Sequence, residues 1–123
     1  MALNEDNDNR GYVLGRLFAA LEKAQRDALG QNINATVRDR YIGSASTTPA
    51  RVFPQLLKLA QHHISKAEYG GAERAIESIM SKIDGVEGFP ATLSLSEQGQ
   101  FYIGYYQQKA AFWTKKDAMK EEN

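Results

Sequence analysis

Residues 48–66 (TPARVFPQLLKLAQHHISK) have a helical hydrophobic period that strongly limits how this chain can fold. Thr48 suits the N-cap, and Pro49 suits the first helical position, where a missing N–H costs nothing. The apolar face recurs at helical spacing and consists of Phe53, Leu56, Leu57, Ala60 and Ile64. The opposite stripe contains no acid and consists of Arg51, Gln55, Lys58, His62 and Lys66. This pattern predicts a helix that docks on a bundle by one face and presents a basic face outward.

Similar patterns, together with capping residues, predict four more helices. In chain order, we expect them over residues 10–29, a short stretch through residues 37–42, residues 72–83 and residues 95–115. Asn9 can cap the first of them, and Ser94 with Glu97 forms a capping box before the last. Residues 43–48 are small and polar, so we expect a turn or a frayed helix end there.

These elements predict an all-α fold, a compact antiparallel helical bundle of four main helices plus one short helix. We expect one bundle domain over residues 10–116, a disordered acidic tail at residues 1–9 and a charged tail at residues 117–123. In the last helix, Gly99 and Gly104 would each cost about 1 kcal/mol at an exposed site relative to Ala. They therefore predict a close backbone approach by a neighbouring helix.

The last predicted helix is rich in aromatic residues, which suit either a hydrophobic core or the stacking of nucleobases. Stacking would be typical of a protein that binds single strands. The helical spacing of the rings and the lack of interleaved Arg favour core packing. The aromatic residues in question are Phe101, Tyr102, Tyr105, Tyr106, Phe112 and Trp113.

The formal net charge is zero, but the charges are unevenly distributed along the chain. Residues 10–116 contain 14 Lys and Arg against 9 Asp and Glu. Residues 36–66 contain five cations against Asp39 alone, whereas residues 67–88 contain five acids against two cations. A second basic line, on the first helix, consists of Arg16, Lys23 and Arg26. Such lines suit a polyanion, and a merely solvated helix face is the alternative interpretation.

Composition and spacing argue against several kinds of site. The chain has no Cys, which excludes disulfides and thiolate metal sites. His62 and His63 would point about 100 degrees apart on a helix, so we expect no metal site. No nucleophile–His–acid set and no glycine-rich phosphate loop is present, so we expect neither catalysis nor a cofactor. The polar N-terminus is not a signal peptide and no membrane span is found, which favours a cytosolic protein.

Five stretches of the chain match a known family. They are YVLGRLF at residues 12–18, NATVRDRYIGSASTTP at 34–49, VFP at 52–54, LLKLAQHH at 56–63 and LSLSEQGQFYIGYY at 93–106. In these stretches the chain resembles the C-terminal region of the large subunit of type I-C CRISPR surveillance complexes (Cascade). The chain has its own Met and is shorter than that subunit. It is therefore similar to the separate small subunit, which in this subtype is made from an internal start site within the large-subunit gene.

The resemblance implies a non-catalytic α-helical bundle in the cytoplasm of a prokaryote, present in more than one copy per complex. The partners that it implies are the large subunit, the backbone subunits that coat the guide RNA, other copies of the chain, and the guide RNA–target DNA complex. Within that complex, it implies a role in holding the R-loop and mainly the displaced non-target single strand.

We therefore expect a phosphate-binding set, without sequence preference, on one flank of the bundle. The set consists of Arg16, Lys23, Arg38, Arg40, Arg51, Lys58, His62 and Lys66. Arg38 and Arg40 could instead pair with the acidic fourth helix of the next copy in a head-to-tail stack. The alternative function is a purely structural protein–protein scaffold that bridges large and backbone subunits without touching nucleic acid.

Overall fold

The chain folds into five α-helices in a computed structural model that describes residues 3–29, 37–66, 71–84 and 89–121. In chain order they are α1 (Arg10–Leu29), α2 (Val37–Thr47), α3 (Pro49–Lys66), α4 (Gly71–Asp84) and α5 (Leu95–Glu121). No strand occurs within the described ranges. The predicted all-α bundle of four main helices plus one short helix is confirmed, and α2 is the short helix.

Helix α1 lies at the centre of the bundle and contacts each of the other four helices. Every residue from 11 to 22 is buried, including the charged residues Arg16 and Glu22. A helix that is enclosed on all sides buries its polar positions as well as its apolar ones, and each buried polar group then needs a partner. The apolar stripe visible in the sequence therefore describes only part of the buried surface of α1.

The aromatic core is built around Phe18 of α1, which is fully buried. Its ring centroid lies 5.9 Å from that of Phe101 and 5.7 Å from that of Tyr105, both in α5. Phe53 of α3 lies 6.4 Å away in an edge-to-face contact. Contacts of this kind contribute about 0.5–1.5 kcal/mol each beyond the area that they bury. Core packing is confirmed for Phe101 and Tyr105, whereas two other tyrosines of α5 are exposed.

Glycines allow α1 and α5 to approach until their backbones touch. A Cβ atom at Gly15 would lie 1.9 Å from the carbonyl oxygen of Phe101, and one at Gly104 would lie 2.2 Å from that of Tyr12. Gly11 makes a third contact of this kind, at 2.1 Å from a carbonyl oxygen of α5. Distances this short exclude any side chain, so this helix spacing requires glycine. The close approach predicted at Gly104 is confirmed.

Gly99, also in α5, has no such neighbour. No atom of the described residues lies within 4 Å of the point where its Cβ would stand, so the predicted close approach of a neighbouring helix is wrong for Gly99 within that part of the chain. The five-residue step from Gly99 to Gly104 places the two glycines about 140 degrees apart around the helix. Gly104 therefore faces α1 while Gly99 faces outward, and a helix propensity argument alone does not distinguish these two sides.

Helices α1 and α5 run parallel within the bundle. Gly11 lies beside Glu97 and Gly15 lies beside Phe101, so a step of four residues along α1 matches a step of four along α5. Three helices separate α1 from α5 in sequence.

Helix α2 includes most of the small polar run for which the sequence predicts a turn or a frayed end. The hydroxyls of Ser46 and Thr47 donate to the carbonyl oxygen of Gly43 at 2.9 and 3.0 Å. Side chains that bond back in this way compensate carbonyls at the end of the helix. Thr48 alone separates α2 from α3, and its hydroxyl donates to the carbonyl oxygen of Ser44 at 3.1 Å.

Both predicted tails lie partly within the described residues. Helix α5 continues to Glu121, whereas the sequence predicts its end at residue 115. At the other end, residues 3–9 lead into α1, and the backbone N–H of Asn4 donates to the hydroxyl of Tyr12 at 2.9 Å. The assignment of residues 1–9 as a disordered tail stays a prediction.

The predicted caps are confirmed at the starts of α1 and α5. Asn9 Oδ1 accepts a hydrogen bond from the backbone N–H of Gly11 at 2.9 Å. Ser94 Oγ accepts from the N–H of Glu97 at 3.1 Å, and Glu97 Oε1 accepts from the N–H of Ser94 at 2.9 Å, which completes the capping box. Arg10 pairs with the same carboxylate and joins the two helix starts. The hydrogen bond from Arg10, followed by that from Ser94, lowers the pKa of Glu97 to about 2.

We expect Gly15→Ala to destabilise the fold, because its methyl group would overlap the carbonyl oxygen of Phe101. The two helices would have to separate, which costs about 1–3 kcal/mol in the free energy of unfolding. Gly43→Ala in α2 is the matched control, since nothing lies within 4 Å of its Cβ and Ala is the better helix former. Urea unfolding followed by circular dichroism should give opposite signs for the two variants. A Gly15→Ala variant as stable as the wild type would contradict the contact.

We expect Glu97→Gln to lower the free energy of unfolding near neutral pH, because the amide loses the ion pair with Arg10. In the folded chain the pKa of Glu97 falls from 4.5 to about 2, so its stabilising effect is complete above pH 4.5 and is lost as the pH falls toward 2. Urea unfolding at several pH values should show the difference from the wild type shrinking over that window. Glu77→Gln, on the exposed side of α4, controls for the loss of a surface carboxylate. An equal effect in both variants would refute the assignment.

Candidate nucleic-acid interface

Helix α3 presents its cationic stripe to solvent, as the sequence period predicts. The opposite side is buried in the bundle, where Phe53 is 0% and Leu56 is 2% exposed. Since the helical period keeps the two stripes on different faces, burying one leaves the other accessible. The stripe residues found exposed are Arg51, Gln55, Lys58 and His62. Lys66 is the last residue of α3, and its side chain lies outside the described residues.

Arg51 and Lys58 of this stripe are not paired with any carboxylate of the described residues. Helix α3 contains no Asp or Glu, and no ion pair involves Arg51 or Lys58 in the part of the chain that the structure describes. Arg40 of α2 is exposed and likewise makes no ion pair with a described residue. Arg38 belongs to α2, but its side chain lies outside the described residues. From residue 51 to residue 62 the stripe is about 16 Å long.

An open groove lies between α2 and α3 beside the stripe, with a volume of about 400 Å³. Its lining combines cationic, apolar and aromatic side chains, namely Tyr41, Gln55, Leu56, Lys58, Leu59 and His62. Proteins that bind single strands combine cations for the phosphates with aromatic rings for the bases. This arrangement can therefore hold a phosphate at Lys58 and His62 while the half-buried ring of Tyr41 contacts a base.

Sequence reasoning did not include Tyr41 among the candidate site residues. The spacing of the short helix indicates an apolar position there, and the question of base stacking arises in the sequence only for the aromatics of α5. The place of Tyr41 beside Lys58 depends on how α2 packs against α3. The one available signal is the junction itself, because a single residue, Thr48, connects the two helices and keeps them close.

Arg16 is a correction to the predicted set, because it is buried rather than outward-facing. Its residue is 5% exposed, and its Nε donates to Gln108 Oε1 of α5 at 2.9 Å. One terminal nitrogen, Nη1, is buried without a hydrogen-bond partner among the described residues. Burial lowers the pKa of Arg16. The sequence suggests an outer position because it does not reveal that α1 is surrounded on all sides.

Lys23 and Arg26 also do not form an open row of cations on α1. Lys23 Nζ lies 2.7 Å from Asp27 Oδ2 and 5.7 Å from the ring centroid of Phe112. Arg26 is half-buried. The charge of Lys23 is thus partly balanced within the chain, whereas Arg51 and Lys58 of α3 make no ion pair with a described carboxylate. Of the two basic lines predicted from the sequence, only the α3 stripe forms a continuous exposed surface.

Two features are absent from the described residues, a metal-binding cluster and a membrane-spanning helix. Within them, no three His, Cys, Asp or Glu side chains come together in a way that could hold a metal ion. The rings of His62 and His63 lie 6.2 Å apart between centroids, with His62 exposed and His63 buried. No helix in the same described ranges has the length and apolar character needed to cross a membrane.

Comparison with known proteins gives one family. The sequence model of the family described as CRISPR-associated protein (Cas_Csd1) matches residues 1–113. No curated protein matches the chain. The matched range contains α1 to α4, the α3 stripe, the groove and the buried part of α5.

We expect Arg16→Glu to destabilise the chain by roughly 3 kcal/mol, because it would place an unpaired carboxylate where Arg16 is buried beside Gln108. Arg51→Glu makes the same change of charge at an exposed position and should alter stability by no more than about 0.5 kcal/mol. Urea unfolding of both variants measures the difference. Equal stability of the two variants would contradict the burial of Arg16 and would return it to the surface set.

Proposed function

The chain belongs to the family CRISPR-associated protein (Cas_Csd1), a family of type I-C CRISPR surveillance complex (Cascade) subunits, and we propose that it acts there as the small subunit. In this proposal the chain is not an enzyme. It supports target DNA binding by stabilising the R-loop, and it holds the displaced non-target strand on its basic face.

The observation that carries this proposal is the exposed cationic stripe of α3. Arg51, Lys58 and His62 share one side of a helix that has no acidic residue. Formation of an R-loop exchanges one duplex for another of similar stability, so a few favourable backbone contacts are sufficient to shift the balance. Cations that bind the phosphates of the displaced strand release its counterions, and this contribution needs no base sequence.

The groove beside the stripe adds a second contact for a single strand. A phosphate held by Lys58 would leave the next base within reach of Tyr41 across the groove. Stacking on an aromatic ring is tolerant of sequence, because every base has a π-face. A single strand offers such unpaired bases whereas a duplex does not, so this geometry favours the displaced strand over the guide RNA–target heteroduplex.

The proposed setting is the cytoplasm of a prokaryote, within a complex of several protein subunits and a guide RNA. The partners in this proposal are the large subunit, the backbone subunits, other copies of this chain and the target DNA. Arg40 is exposed on α2, and in a head-to-tail stack it would meet the acidic α4 of the next copy. Glu73 and Glu77 are exposed on α4 and would supply the opposite charges.

A second candidate is a protein scaffold that bridges large and backbone subunits without touching nucleic acid. Two observations favour this scaffold, because they make the cationic surface available to DNA smaller than the sequence predicts. Arg16 is buried against Gln108, and Lys23 is paired with Asp27, so two of the predicted cations are engaged inside the chain. In this case the α3 stripe would meet acidic surfaces of neighbouring subunits.

We expect Arg51→Glu combined with Lys58→Glu to weaken binding of target DNA by the assembled complex roughly tenfold, because two phosphate contacts become repulsive. The plot of log affinity against log salt concentration should become shallower, with the magnitude of its slope smaller by about 2. Arg74→Glu makes the same exchange at an exposed position of α4 and should leave binding unchanged. It is the matched control for the Arg51→Glu exchange in the double variant. Binding is measured with complexes that contain the variant in place of the wild-type chain.

The same measurements separate the two candidates. Loss of DNA affinity in a complex that assembles normally supports strand binding by the stripe. If the variant chain fails to enter the complex although its fold is intact, the stripe meets protein and the scaffold is the better account. Unchanged affinity and an unchanged salt slope in the assembled complex would overturn the assignment of the stripe to DNA.

A further inference from the structure

The outward side of α5 carries an uncharged, largely apolar stripe outside the core cluster, and within it the Tyr102 hydroxyl lies 3.4 Å from Ser46 Oγ of α2. Its members recur at helical spacing and are Leu95, Gly99, Tyr102, Ile103, Tyr106 and Ala110. The three most exposed large side chains are Leu95 at 85%, Tyr106 at 51% and Ile103 at 42%. We call these six residues the α5 outer face. An apolar stripe of this kind on one side of a helix is typical of a protein–protein contact.

Charged residues in this part of α5 lie off the outer face and are tied to α1. Glu97 pairs with Arg10, and Lys109 Nζ lies 3.3 Å from Glu22 Oε1. The Tyr105 hydroxyl donates to the same Glu22 atom at 2.8 Å. Because these charged side chains pair with α1, the α5 outer face carries no charge. A surface without charge does not repel a copy of itself.

Gly99 occupies this face in the middle of a helical turn, with no atom within 4 Å of the point where a Cβ would stand. Glycine is less favourable than alanine inside an exposed helix. Elsewhere in α5, Gly104 is explained by the contact with α1, but no contact among the described residues explains Gly99. A small residue on an exposed apolar face leaves room for a large side chain from outside.

We propose that the α5 outer face binds a second copy of this chain, with the two α5 helices antiparallel about a two-fold axis beside Tyr102 and Ile103. Along the face, the side chains are large at Leu95, small at Gly99, large at Tyr102, Ile103 and Tyr106, and small at Ala110. When the second copy is reversed, Gly99 faces the partner's Tyr106, and Leu95 faces the partner's Ala110. Each small residue thus receives a large one, as in a well-packed core.

A parallel arrangement of the two helices does not fit the same sizes. It would set Gly99 against the partner's Gly99 and Tyr106 against the partner's Tyr106, which leaves a gap at one level and a clash at the other. A two-fold interface uses the same patch on both copies, so a face that complements itself in size and carries no charge satisfies its requirement. A charged partner surface would leave its charges unpaired against this face.

The size of the face predicts a weak association. From residue 95 to residue 110 it is about 22 Å long at 1.5 Å per residue, and one helix side of that length is smaller than the roughly 800 Å² per partner of a stable interface. We therefore expect a dimer that forms only at high concentration of the free chain. The contact is independent of the α3 stripe and of the proposed binding of DNA.

Sedimentation velocity of the full chain across the micromolar to millimolar range tests the proposal. We expect a concentration-dependent dimer that persists at high salt, because no charge contributes to it. A head-to-tail contact between basic and acidic surfaces would instead dissociate as salt rises. Ile103→Glu should raise the dissociation constant at least tenfold. Leu59→Glu is the matched control, because Leu59 is 38% exposed and lies on α3.

Gly99→Ala provides a variant whose folding is not in doubt. Since the space around its Cβ is open, the substitution should raise the urea midpoint of the free chain while it weakens the dimer. If Gly99 had only a structural role within the chain, Gly99→Ala would change the urea midpoint and the stability of the dimer in the same direction. An unchanged dissociation constant for Gly99→Ala would overturn the arrangement in which Gly99 receives the partner's Tyr106.

The absence of Cys from the chain permits a direct test of the two-fold axis. With oxidised glutathione, Ile103→Cys should form a disulfide-linked dimer at least tenfold faster than Leu59→Cys, because residues near the axis lie beside their own copies. Equal rates, or a chain that stays monomeric at every concentration, would overturn the proposal. A monomeric chain whose Ile103→Glu variant fails to enter the complex would also overturn it, and would assign the face to a different subunit.

Discussion

The backbone contact between α1 and α5 is the constraint on which the rest of the bundle depends. Gly11 and Gly15 of α1 and Gly104 of α5 each place a Cα where any Cβ would overlap a carbonyl oxygen of the facing helix. At this spacing the ring of Phe18 reaches both Phe101 and Tyr105, and the aromatic core closes around it. The other three helices also pack against α1.

The same contact determines where charge appears on the surface. Polar groups that α5 directs toward α1 find partners there, as in the pairs Arg10–Glu97 and Lys109–Glu22, and Arg16 donates to Gln108. Arg16 and Glu22 are thereby buried, whereas Arg10 stays exposed. The exposed sides of two helices differ in character: the side of α3 is cationic, and the side of α5 is neutral and apolar. The two sides suit two different partners, a polyanion and a protein helix.

A subunit of a large nucleoprotein complex benefits from this separation. Electrostatic contacts with a strand are tolerant of position and sensitive to salt, whereas apolar contacts between subunits need matching shapes and are not screened. Placing them on different helices allows each to act without disturbing the other.

The sequence by itself determined the five helices, the caps at Asn9 and Ser94, and the exposed cations of α3. These features depend on local spacing, which a single helix expresses whatever surrounds it. Only the tertiary structure decided that α1 is central, that Arg16 is buried, that Tyr41 lies beside the basic stripe and that Gly99 faces outward. Each of these depends on which helix lies next to which, and at what distance. That choice is made by the packing of all five helices together, and no periodicity within one helix records it.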